Sequence, residues 1–324
     1  MMNKIVFVIL AFTGVCTVVR AQYDFREAEK ERIAQANVKT QTEYTHDYKN
    51  GQPSEHGYKS SVKQFDRYGN ITEEINYNAA GKIISVVAYQ YDDRNTRVNH
   101  ERYQGNREKL QYSQKTMFDQ KGNKTREYGF DGAATYSNIY LYDREGKLAE
   151  ITYTTDNNPV EKRKLTHSGK KTDIRIFDAA NNPTFKQENT YNDAGNLLSE
   201  IKTDNAGKVI YSHNFEYKDD KILITETKKR GDLPEYQKNY YYDDRQRPVK
   251  EETVNADGTK FVSHEYRYNP SGYLEMESWK KSFQSKEASS KTVDYDQNGI
   301  YTEVKSYFAT YKLYSLYKYT YEFY

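Results

Sequence analysis

Cysteine, proline and long apolar runs are all nearly missing from this chain, and each shortage removes a class of protein. A single cysteine in 324 residues, Cys16, excludes a disulfide framework and a cysteine metal site. With 6 prolines and no Pro/Gly/Ser-rich linker, nothing divides the chain after its first segment, so one domain is expected. Hydrophobic residues make up only 36% of the total, too few for a thick oily core. The net charge of +2 supplies no cation excess for a phosphate backbone, so nucleic acid is not an expected partner. Tyrosine is what the chain has instead: 34 of them, beside 13 phenylalanines. Tyrosine joins a large apolar face to a hydroxyl that tolerates water, so this chain packs on half-wet surfaces. Disordered segments are poor in aromatic residues, which argues for an ordered chain.

The one apolar stretch stands at the start. Residues 1–21 read as a secretory signal peptide, with Lys4 as the positive region, residues 5–19 as the apolar region and Val19-Arg20-Ala21 as the cleavage site before Gln22. The run is short and interrupted, so no transmembrane span is expected after its removal. Cleavage takes away Cys16, Lys4 and Arg20, which brings the charge from +2 to zero. The expected location is periplasmic, cell-surface or secreted.

The remainder is a repeat. Phe65-Asp66-Arg67-Tyr68-Gly69-Asn70 recurs as Tyr142-Asp143-Arg144-Glu145-Gly146-Lys147, Tyr242-Asp243-Asp244-Arg245-Gln246 and Tyr295-Asp296-Gln297-Asn298-Gly299. Across nine such segments the leading aromatics step by 26, 27, 24, 49, 26, 25, 26 and 27 residues. The double step leaves room for a divergent tenth member near Leu165-Thr166-His167-Ser168-Gly169. Weaker turn signals lie midway, so a turn falls every 12 to 14 residues, and the stretches between alternate as strands do. The register is shared between units. Tyr89, Tyr140, Tyr240 and Tyr266 stand two positions before the turn aromatic; Glu74, Glu150, Glu200, Glu226 and Glu251 follow the turn. Positions an even number apart share a strand face, so like stacks on like across neighbouring units.

The tile Tyr/Phe-Asp-x-x-Gly-Asn/Lys-Leu/Ile with a following glutamate resembles the YD repeat of the RHS family, over roughly residues 58–303. That resemblance implies an array of β-hairpins coiling into a curved sheet; the family's Asp-Pro-x-Gly-Leu motif is absent. The expected fold is all-β: antiparallel β-hairpins in a long, curved or superhelical sheet with a short N-terminal helix. Some twenty strands about 4.8 Å apart exceed what an open sheet carries flat, so the array is expected to spiral or fold back. A helix from Asp24 through residue 38, with Ala28, Ile33 and Ala36 on its apolar side, begins a capping segment over 22–57. Tyrosine-rich strands over 304–324 form the other cap.

Chemistry-bearing residues are absorbed by this pattern. His213 and His264 occupy one tile position two units apart, which a ladder explains, whereas a zinc pair would need neighbours on adjacent strands. His264-Glu265 and His100-Glu101 lack the second histidine of a zincin helix. Asp92-Asp93, Asp219-Asp220 and Asp243-Asp244 sit on turns, where aspartate bonds its own backbone. No nucleophile elbow or phosphate-cradling loop is present, so no catalytic, cofactor or metal site is expected. His46, Asp47, Glu55 and His56 read as a polar loop around Gly51-Gln52-Pro53. Tyr241, pointing opposite to the Tyr240 and Tyr242 ladder, and Trp279, the only tryptophan, remain as candidate binding residues. A membrane barrel is disfavoured because residues 96–102 place charges on both strand faces. The expected function is that of an exported, non-enzymatic YD-repeat-like structural or binding protein of the bacterial envelope, contacting carbohydrate or a protein partner. The alternative is an RHS-type toxin-system or immunity component.

Overall fold

The computed structural model describes residues 24–324; the signal-peptide reading of residues 1–21, Cys16 included, lies outside the described residues. One helix, α1 (Phe25–Gln35), leads into 23 strands among the described residues. These begin with β1 (Val38–Lys49), β2 (Gln52–Pro53), β3 (Tyr58–Phe65), β4 (Ile71–Tyr77), β5 (Ile83–Tyr91) and β6 (Arg97–Gln104). Next come β7 (Lys109–Phe118), β8 (Lys124–Phe130), β9 (Thr135–Tyr142), β10 (Leu148–Thr155), β11 (Asn158–Ser168) and β12 (Lys171–Asp178). They continue with β13 (Pro183–Tyr191), β14 (Leu197–Asp204), β15 (Val209–Lys218), β16 (Ile222–Arg230), β17 (Leu233–Tyr242) and β18 (Pro248–Asn255). The last are β19 (Lys260–Tyr268), β20 (Leu274–Trp279), β21 (Ser289–Tyr295), β22 (Tyr301–Phe308) and β23 (Leu313–Phe323).

Most strong turns are built by an aspartate, with asparagine in the same role at Asn192 and Asn269. The Asp66 N–H donates to the Asn70 carbonyl at 2.9 Å and the Gly69 N–H to the Asp66 carbonyl at 3.1 Å. Asp66 Oδ1 accepts from the N–H groups of Tyr68 and Asn70, at 2.8 and 3.0 Å. This is a three-residue hairpin loop, a type I turn closed by a left-handed residue. Where glycine is missing from that position, Asn95 and Gln246 both take φ of 61°. The divergent unit departs from this form: Ser168 pairs with Lys171 across a two-residue loop whose first residue, Gly169, has φ of 57°.

All main pairings are antiparallel between chain neighbours, and then the array closes. β1 pairs with β3 on one side and with β23 on the other, from Val38 opposite Phe323 to Asp47 opposite Ser315. The two-residue β2 pairs only with β1, so 22 of the strands complete a barrel. The expected superhelical sheet is therefore corrected. Curvature was anticipated, but the first and last strands satisfy each other's free edges, which an open spiral would leave exposed. The helix is also shorter than expected. Asn37 takes the left-handed φ of 54° immediately after the C-cap Ala36, and Val38 already belongs to β1.

Helix α1 identifies the inner face. Asp24 caps it by accepting from the Arg26 N–H at 2.9 Å. Phe25 stacks on Tyr266 of β19 with ring centres 5.5 Å apart, and Arg32 lies 5.2 Å over Tyr273. At its other end the helix backs onto the β3–β4 turn so closely that a Cβ on Gly69 would collide with the Lys30 carbonyl. An eleven-residue helix is about 16 Å long, whereas the strands from β19 round to β4 would span about 34 Å if flat. The sheet must wrap around the helix, so the face it touches is concave. Ile33, Val38, Phe65 and Ile300 form a small core beneath it. Tyr140, Leu148 and Ile151 form a second one elsewhere.

The closing seam is directly testable. Thr42 lies opposite Thr320, and the chain from residue 22 holds no cysteine. Facing residues of an antiparallel pair stand within disulfide reach. Thr42→Cys with Thr320→Cys should oxidise to an intramolecular disulfide, seen by mass spectrometry of a nonreduced monomer. A chain that stays reduced would mean that the ends are apart.

Candidate binding surfaces of the lumen

Alternation from the helix-contacting residues assigns the tyrosine rows to the inside. Their hydroxyls do specific work. Tyr142 Oη donates to the Lys124 carbonyl at 2.9 Å, Tyr217 to Leu197 at 3.0 Å and Tyr242 to Leu223 at 2.8 Å. Tyr268, Tyr295 and Tyr321 donate in the same way to the carbonyls of Pro248, Leu274 and Tyr301. Each accepting residue is the first or, at Leu223, the second of a strand just after a strong turn and precedes a one-residue bulge in the ladder, as at Leu223 and Pro248. A bulge disrupts ladder pairing locally, and the tyrosine of the next unit bonds there. In the divergent unit His167 replaces tyrosine, and its Nε2 lies 2.8 Å from the Leu148 carbonyl. The substitution keeps the contact.

Deeper along the inner face the glutamate row meets tyrosine and histidine. Glu226 accepts from Tyr236 at 2.6 Å and Tyr240 at 2.8 Å, and lies 3.0 Å from His213 Nε2. Burial alone would raise its pKa, but these hydrogen bonds outweigh it and hold the carboxyl down at about 2. Burial, joined by the same carboxylate, pushes the Tyr240 phenol upward. Glu251 is likewise held at about 2 against burial, with Ser263 Oγ donating at 2.7 Å and Lys238 Nζ at 3.2 Å. His264 Nδ1 stands 3.7 Å from Glu251, beyond hydrogen-bond range. The two histidines thus lie beside different carboxylates on different strands, and only His213 is within hydrogen-bond range of its own. Among the described residues no group of three or more His, Cys, Asp or Glu is placed to hold a metal ion.

The candidate residues from the sequence do not meet. Tyr241 is 40% exposed on the outer face, with Lys250 Nζ 3.8 Å above its ring. Trp279 belongs to the inner face opposite His264, at the weak-turn end of β20, edge-on to Phe308 at 6.2 Å. The turn aspartates behave as backbone anchors: Asp243 Oδ1 accepts from the N–H groups of Arg245 and Arg247 at 2.9 Å each. His46 Nδ1 is 2.9 Å from the Ser54 carbonyl in the β1–β2 hairpin. Sequence reasoning missed the luminal clusters because each member looked like a ladder rung; their shared strand parity was the available signal.

The outer face is different. Lys171 pairs with Glu188 at 2.8 Å, Arg267 with Glu275 at 2.9 Å and Lys305 with Glu303 at 2.8 Å. Met117 and Ile139 are 51% and 40% exposed, and Arg126 stands in register between them. With 22 strands about 4.8 Å apart, the ring is on the order of 40 Å across, too wide for side chains to fill. Tyr89, Tyr142, Tyr242 and Tyr268 are accordingly only half-buried.

Fold and lining define a closed antiparallel β-barrel with a polar, tyrosine-rich lumen. No protein-family model matches the chain, and a search of curated proteins finds no match. Among solved structures, a porin-like protein from Bacteroides uniformis ATCC 8492 is 12% identical, covering 89% of this chain and 97% of its own, with a TM-score of 0.31. A porin-like protein from Bacteroides vulgatus ATCC 8482 is 9% identical, covering 88% and 98%, with a TM-score of 0.23. A chain in the crystal structure of TcdB2-TccC3-TEV is 14% identical with a TM-score of 0.27; the match covers 82% of this chain but only 19% of that one. Scores this low do not establish a common fold.

Two predictions follow from the lining. Tyr242→Phe should lower unfolding stability by about 1 kcal/mol through loss of its hydroxyl bond, and Tyr242→Ala by about 3 kcal/mol. No loss for Tyr242→Phe in denaturant titration would show that the hydroxyl contributes nothing. Glu226 and Glu251 have folded pKa values of about 2 against an ordinary 4.5. Their contribution is complete above pH 4.5 and disappears as the pH falls toward 2. The melting temperature should therefore drop across that window, and less steeply in Glu226→Gln; an unchanged slope in the variant contradicts the network.

Proposed function

We propose that this chain is a non-catalytic binding barrel of the bacterial envelope, standing in water and taking a carbohydrate into its lumen. The observation that carries this reading is the contrast between its two faces. The inner wall interleaves half-exposed tyrosine rings with carboxylates, imidazoles and hydroxyls, the groups that stack on sugar rings and bond sugar hydroxyls. The outer wall instead carries ion pairs such as Lys171–Glu188 and Arg267–Glu275 without the tyrosine rows. Export is supported by the signal-like residues 1–21, and the repeat's likeness to the YD tile belongs to the same reading. No helix among the described residues is long and apolar enough to cross a membrane, which does not bear on strands.

A membrane-spanning barrel is the second reading, favoured by the outward Met117, Ile139 and Leu141. Arg126 between the first two counts against it, since an arginine facing lipid at mid-depth costs roughly 2–4 kcal/mol. Purification of the chain from residue 22 without detergent, followed by a glycan array, tests the proposal. A soluble monomer retaining at least one glycan class is expected. Sedimentation with membranes, or an array without any bound glycan, would overturn it.

A further inference from the structure

One cavity in the lumen is lined by more cations than carboxylates. It lies between α1, the β3–β4 turn and the inner face of β4–β8, with a volume of about 620 Å3, within the range of small-ligand sites. Arg26 and Lys30 reach it from the helix, Arg97 and Lys124 from the wall, against two carboxylates, Glu27 and Glu127. Four cations and two anions leave it with an excess of +2. Lys124 is held by Glu127 at 3.1 Å and Lys30 stands 3.7 Å from Glu27. Among the described residues Arg97 has no carboxylate partner: its guanidinium lies 5.7 Å over the Tyr89 ring. The luminal glutamates Glu226 and Glu251, by contrast, are already bonded to neighbouring side chains.

A second observation is independent of charge. The His100 ring, in the cavity wall, stacks on Tyr89 at 4.8 Å and tilts against Tyr112 at 5.0 Å. Its Nε2 is buried without a hydrogen-bond partner among the described residues. A buried polar atom left unpaired costs about 1–3 kcal/mol and marks a place where a ligand group or water completes the bonding. The walls are also aromatic, with Tyr89, Tyr91 and Phe118 lining the space. Cations alone would suit any small anion; cations beside ring faces in a cavity this large suit a charged ring.

We propose that this cavity binds an acidic oligosaccharide, its carboxylate held by Arg97 and Arg26 and a sugar ring set against Tyr89. The proposal rests on the carbohydrate reading above and adds the charge and the place of the ligand. Guanidinium groups bind carboxylates in bidentate fashion, and an aromatic wall orients the ring.

Calorimetry on the chain from residue 22 provides the test, with trigalacturonate, maltotriose and inorganic phosphate as probes. Trigalacturonate should bind at least about tenfold more tightly than maltotriose, weaken with added salt, and lose at least about tenfold in Arg97→Glu. Arg97 is exposed, so this variant should keep the native melting temperature; Arg97→Gln, the milder change, should show an intermediate loss. Undiminished trigalacturonate binding in both Arg97→Glu and Arg26→Glu would overturn the site. Equal binding of maltotriose, indifferent to Arg97, would overturn the acidic ligand while leaving the carbohydrate reading intact. Phosphate bound as well as trigalacturonate, with the same dependence on Arg97, would overturn the sugar. Binding of neither saccharide would remove both readings.

Discussion

A phenol hydroxyl donating to a backbone carbonyl in the preceding unit is the contact on which this fold depends. Each strong turn sends the chain back through a bulge, where the regular ladder breaks. Tyrosine from the next unit bonds at that break, so the two requirements of the design, tight turns and continuous pairing, are reconciled by one side chain. The bond also ties units together through more than nearest-strand pairing. Because the same residue supplies a ring to the wall, the chain needs few aliphatic residues. Its composition follows from this: many tyrosines, small dispersed cores and no single oily centre.

The exception shows the rule. His167 stands where tyrosine is expected in the divergent unit, on a shorter loop, and its ring nitrogen reaches the Leu148 carbonyl at 2.8 Å. A side chain of different shape is accepted so long as it can reach that oxygen. At the closing seam the same chemistry appears between distant ends, with Tyr321 Oη accepting from Gln41 at 3.0 Å and Tyr319 Oη donating to Glu43 at 3.0 Å. Closure makes a barrel of what would otherwise be a curved strip, and it turns the ladder face into an enclosed, wet lumen.

Much of this was legible in the sequence, and the limits are physical. The strand period, the turn aspartates and the opposite orientation of Tyr241 relative to Tyr240 and Tyr242 follow from spacing alone. Closure does not, because Gln41 and Tyr321 are 280 residues apart and neither stretch differs in kind from any other strand. The helix end was overrun because Asn37 adopts a left-handed conformation that many residues visit rarely but asparagine tolerates. The luminal cavity was invisible for another reason: it is assembled from α1, the β3–β4 turn and strands β4–β8, and each contributor alone reads as an ordinary rung or a solvated helix face.

The central claim is that the two ends of the array pair and leave no free edge. Native-state hydrogen exchange reads this at the amides concerned. Closure predicts that amides in 38–49 and 313–323 are protected to the level of those in β14 and β15, mid-array. Rapid exchange along both terminal strands, with protection only in the middle, would contradict it.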